Sequence, residues 1–165
     1  MQGLRRACIR TKSLSRPLLC QGESTRGHYC VRDSLLKPFA SADPATETEV
    51  EGLAPSQPTW RPADILTSAA HPHYVAAVDV MVKSPNATGA GHGCTEAGKR
   101  EKLDRFPSVL RGLESQRALY MPAVFSAYGC RHPDVTSMLL QAARRVARRQ
   151  GVASHRRSSR CGVVI

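Results

Sequence analysis

The segment Tyr74–Val82 reads YVAAVDVMV and lies between Pro72 and Pro85. Its β-branched residues, bounded by prolines, predict a strand. A period of two puts Val78, Val80 and Val82 on one face, and Asp79 on the other with Met81 and Lys83. Burying a carboxylate in a valine-rich strand is costly unless it is paired or binds a cation. Asp79 is therefore the first candidate functional residue.

Reading outward, Ala63–Leu66 within RPADIL (Arg61–Leu66) predicts a shorter strand that carries Asp64. Leu119–Ala127 (LYMPAVFSA) predicts another, and Pro122 favours an edge position or a strand start. Three helices are expected. His28–Phe39 repeats Val31, Leu35 and Leu36 before Pro38 stops it. Glu96–Leu113 has a stripe of Leu103, Phe106, Leu110 and Leu113, interrupted at Pro107. Asp134–Gln150 has Asp134 as cap, an apolar face of Val135, Met138, Leu139, Ala142 and Val146, and Gly151 as its end. The order helix, strand, strand, helix, strand, helix predicts a small α/β domain, a mixed sheet flanked by helices, over residues 28–150. Within it, 40–62 is a proline-containing loop or linker with Glu47, Glu49 and Glu51, and 84–94 is a second loop. Residues 1–27 read as a disordered basic segment and 151–165 as a basic tail.

The chain has 165 residues and a formal net charge of +11. Residues 1–20 carry +5, residues 131–165 carry +7, and the span between them carries −1. Basic ends attract phosphates by releasing counterions. Leu, Ile, Val and Phe make up 20% of the chain, the lower edge of what a packed core needs. No apolar run reaches the length of a membrane-spanning helix. The six cysteines are irregularly spaced, without a secretory signal, and read as reduced thiols inside a cell. The first 20 residues, rich in Arg and Ser and free of acids, leave a mitochondrial leader as a minor alternative. The terminal Cys161-Gly-Val-Val-Ile puts its cysteine one position too early for prenylation.

If the strands of Asp64 and Asp79 pair, their carboxylates converge on one hard cation such as Mg²⁺, and a nearby lysine neutralises a phosphate. That is a site for phosphodiester hydrolysis. The competing reading is that both acids sit at strand ends, solvated or hydrogen-bonded. Other clusters carry less. His71, His73, His92 and Cys94 lie in predicted loops at spacings too tight for a structural zinc site. Cys130 and His132 lack a third orienting group, and Tyr120, Tyr128 and Trp60 are too scattered for a stacking platform. Arg144, Arg145, Arg148 and Arg149, extended by Arg156 and Arg157 in HRRSSR (His155–Arg160), could track a nucleic-acid backbone. A membrane-surface face and a solubilising face are the alternatives. Nothing in the sequence points to a specific protein partner.

The stretches RPADILTSA, YVAAVDVMVKSPN, GKREKLDRF, YMPAVFSAYG and HPDVTSMLLQAARRVA together resemble the restriction-like endonuclease region that follows the reverse transcriptase in some non-LTR retrotransposons. They are similar also to degenerate reading frames derived from such elements. The resemblance covers residues 20–150 and implies a restriction-endonuclease-like core. It makes Asp64 and Asp79 the metal-binding acids and places the helical lysine among Lys99 and Lys102, with Lys83 as a second candidate. It implies a nuclear, DNA-binding domain (RNA being a second partner) with residual Mg²⁺-dependent endonuclease activity. The alternative is a non-catalytic basic nucleic-acid-binding or interaction module, down to a decayed reading frame without activity. The chain departs from the pattern in two ways. Met81 stands where a lysine usually follows the second acid, and Lys83 lies about 13 Å along the strand from Asp79 at roughly 3.3 Å per residue. The upstream segment Cys20–Asp33 resembles the end of a zinc knuckle, but Cys20, His28 and Cys30 do not make a tetrahedral site.

Overall fold

In a computed structural model, the structure describes residues 21–53, 59, 61–84, 93–105, 110, 112–114 and 117–151. The expected basic segment 1–20, the tail after 151 and most of the loop 84–94 lie outside them. Helix α1 spans Gln21–Ala42, strand β1 Glu47–Thr48, β2 Ile65–Thr67, β3 Val75–Lys83, helix α2 Cys94–Arg105, β4 Ala118–Ser126 and helix α3 Pro133–Arg149.

The strands form one mixed sheet in the order β1-β2-β3-β4. β1 and β2 pair antiparallel, as do β2 and β3, while β3 and β4 pair parallel with α2 in the connection between them. The expectation of a small mixed sheet flanked by helices is met. Pro122, which has no N–H to give a ladder, lies in β4 at the sheet's edge.

Alternation along β3 divides the sheet into two faces. Ala76, Val78 and Val80 join Ile65 and Ala123 under α1 and α3, where Leu35, Phe39, Val135, Met138 and Ala142 complete the main core. Ala77 faces the other way and packs with Ala63, Leu113, Ala118 and Tyr120. Helix α2 covers that second face at very close range. A Cβ built on Gly98 would lie 2.8 Å from Val124 Cγ1 and 3.3 Å from Met81 Sδ, so only glycine lets the helix approach.

Two helix boundaries differ from expectation. Pro38 does not stop α1: the helix begins at Gln21 and carries Pro38 inside it. An interior proline costs about 3 kcal/mol, but Leu35 and Phe39 on either side are 4% and 0% exposed, and their burial outweighs that cost. Asp134 is not the cap of α3. His132 takes that position, its side chain accepting from Asp134 N, with Pro133 following. The helix ends as expected at Gly151, whose φ is +66°.

Candidate active site

Asp79 lies mid-strand on the α2 side of the sheet, as its alternation predicted, and its side chain is 13% exposed. Lys102 reaches down from α2 and places Nζ 2.7 Å from Asp79 Oδ2. Tyr120, on the adjoining strand β4, donates its hydroxyl to the same oxygen. Burial is the largest influence on the Asp79 carboxyl and pushes it above its usual value, although Lys102 and Tyr120 favour the ionised form. Asp64 pushes in the same upward direction as burial, so the two acids lie within electrostatic reach of each other. Burial, and then the carboxylate of Asp79, raise the Tyr120 phenol well above its ordinary range. Tyr120 is therefore a fixed donor, not a base.

Asp64 sits at an irregular step just before β2. Its N–H donates to Val78 O, although Ile65 is already the register partner of Val78. Its carboxylate then replaces a strand carbonyl: Oδ2 accepts from Val80 N at 2.7 Å, and Oδ1 lies 3.1 Å from His28 Nε2 on α1. The acid is thus hydrogen-bonded at a strand end, and it also neighbours Asp79.

Of the three lysines singled out, only Lys102 meets the acids. Lys83 shares the face of Asp79 but pairs with Glu101 on α2, and Lys99 pairs with Asp134 at 2.6 Å. The arginines of α3 divide in the same way. Arg145 donates to Ser68 Oγ and His71 O, and Arg149 to Ala42 O, while Arg144 and Arg148 are exposed. Arg156 and Arg157 lie outside the described residues.

Tyr120 and His28 belong to the cluster and were not read as such from sequence. Tyr120 had a usable signal: two residues before Pro122, it shares the α2-side face of a strand predicted to neighbour that of Asp79. His28 had none, because its partner lies 36 residues away on another element. Among the described residues, no group of three or more His, Cys, Asp or Glu side chains is arranged to hold a metal ion. His132, weighed beside Cys130, instead holds Glu96 at 2.8 Å and caps α3. No helix among these residues is long and apolar enough to cross a membrane. No protein-family model, curated protein or solved structure matches the chain.

Proposed function

We propose that the chain is a retroelement-derived DNA-binding domain whose cluster of Asp64, Asp79 and Lys102 is a metal-dependent phosphodiester-hydrolysis site. The supporting observation is the meeting of Lys102 with Asp79 at 2.7 Å, beside Asp64. The restriction-endonuclease-like core and a nuclear location come with this reading through the resemblance, and the mixed sheet flanked by helices agrees with it.

The donor set suits Mg²⁺, which takes one or two carboxylates and keeps several waters. Asp64 and Asp79 would hold it, and the ion would supply polarisation of a phosphodiester. The chain's own groups do the remainder. Tyr120 holds the Asp79 carboxylate in one orientation. Lys102, 18% exposed, is long enough to turn its ammonium from Asp79 to a phosphate oxygen.

The test is cleavage of supercoiled plasmid with Mg²⁺ or Mn²⁺ at low salt. Asp79→Ala and Lys102→Ala are each expected to lower the rate on the order of 100-fold, the scale of losing one transition-state donor. Cleavage equal to wild type in both variants would discard the site. Because a cation needs the ionised carboxylate, cleavage should rise with pH as Asp79, titrating above its usual value, loses its proton.

One observation favours the second reading, a non-catalytic basic nucleic-acid-binding module. Both oxygens of Asp64 have protein partners, and Asp79 Oδ2 already has two, so the charges balance without a cation. Salt-sensitive DNA binding without cleavage at any divalent concentration would establish that reading.

A further inference from the structure

The turn between β2 and β3 gathers three rings on the surface of a chain that has only 1 Trp, 4 Tyr and 3 Phe. The ring centroids of His71 and Tyr74 are 5.2 Å apart with the planes tilted by 39°, and those of His71 and His73 are 6.1 Å apart. Tyr74 is 49% exposed and its neighbour Val75 40%, an apolar exposure in a chain short of apolar residues. His71 is held from below. Its Nδ1 accepts from both His73 N and Tyr74 N, which fixes the ring and leaves the proton on Nε2. Burial, and then the proximity of His73, hold His71 below the ordinary imidazole value, so the ring is uncharged at neutral pH.

Two further features surround the rings. Arg145 of α3 donates to His71 O and to Ser68 Oγ, which ties the turn to the helix that also carries the exposed Arg144 and Arg148. Beside Tyr74 opens a cavity of about 330 Å³, lined also by Glu114, Ala118 and Leu119. The Glu114 carboxylate repels a phosphate but accepts from a base amino group, so the space suits a base and not a backbone.

We infer that this turn is a stacking platform for unpaired nucleobases, with the arginine face of α3 beside it to hold the phosphates. Bases of any kind have a π-face, and stacking on a tyrosine or an uncharged imidazole needs them out of the duplex. A double helix offers the rings nothing, because its bases already stack on one another. The ligand is therefore a single strand, DNA or RNA. It binds at a surface distinct from the Asp79 cluster, and the inference does not depend on the hydrolysis reading.

The experiment is fluorescence anisotropy of the full chain with a labelled oligo(dC) of about twelve nucleotides, within the usual footprint of such sites, and no divalent cation. Unlabelled oligo(rC) and a duplex of equal length serve as competitors. The single strands should compete about tenfold better than the duplex, with DNA and RNA alike. Tyr74→Ala should weaken single-strand binding about tenfold and duplex binding less than twofold, a loss typical of one stacked base. Tyr74→Phe should restore it, since the ring and not the hydroxyl does the stacking. Unchanged binding by Tyr74→Ala, or equal competition by duplex, overturns the inference. If the melting temperature of Tyr74→Ala falls, the exposed His73→Ala takes its place with the same two outcomes. No bond is broken in this measurement, so its failure leaves the hydrolysis reading standing, and a failed cleavage assay leaves this one standing.

Discussion

Asp43 and Asp79 titrate in opposite senses, and each leaves its own signature in stability. Burial alone would raise Asp43, but donation from Ser68 N, Ser68 Oγ, Ala45 N and Thr67 Oγ1 outweighs it and holds the carboxyl below its usual value. A lowered folded value means that the contribution is present above the unfolded pKa of about 3.9 and is lost as pH falls through the folded one. Asp43→Asn should therefore lower the melting temperature most at neutral pH, with a cost of about 1–3 kcal/mol, and least near pH 3. A deficit independent of pH would show that the carboxylate's charge is not what the four donors hold. Asp79 runs the other way. Its raised value means stability that is full below the unfolded pKa and lost as pH rises through the folded one. The difference in melting temperature between Asp79→Asn and wild type should thus move in the variant's favour on going from pH 3 to neutral. A move in the opposite direction would contradict the dominance of burial over Lys102.

The helices are held to the sheet at two narrow points. At Gly98, α2 sits on Val124, which is fully buried and β-branched and so has little room to give. Gly98→Ala should cost about 1–3 kcal/mol by overpacking, read as a lower denaturation midpoint, in spite of alanine's better helix propensity. At His132, the cap of α3 also grips Glu96 of α2, so His132→Ala should cost about 0.5–2 kcal/mol. Strands β3 and β4 and the body of α3 were legible in the sequence because each has a strong period and sharp punctuation. The placement of Asp79 followed from the same alternation. The start of α1 was not legible, since its outer turns carry little apolar surface and Pro38 is a local stop signal that tertiary burial overrides. Nor was β1, which has only 2 residues and exists through its pairing with β2. Asp64 was visible as a residue but not as a substitute for a strand carbonyl, because that role depends on where β2 begins.

Across the whole molecule, charge and chemistry lie in different places. The span 21–130 carries −1, and the exposed arginines of the described residues include Arg144 and Arg148 on α3. Replacing both by Glu should weaken nucleic-acid binding across all sequences and flatten the dependence of log K on log salt by roughly two units, as expected for two lost phosphate contacts. An unchanged slope would place the phosphates elsewhere. The order of the strands has a further consequence, for the time course of folding. Strands β1, β2 and β3 follow one another closely, and α1 packs on them, so this half closes short loops. Strand β4 must pair parallel to β3 across a connection of 34 residues, from 84 to 117. Closing the longer loop costs more chain entropy before any contact rewards it, so the β3–β4 ladder is the slow step. Lys102 and Tyr120 reach Asp79 only after that closure. In pulsed hydrogen exchange, amides of β2 and β3 should gain protection before those of β4. Until β4 docks, the chain holds its two acids without their lysine, and any chemistry at Asp79 waits for the last strand.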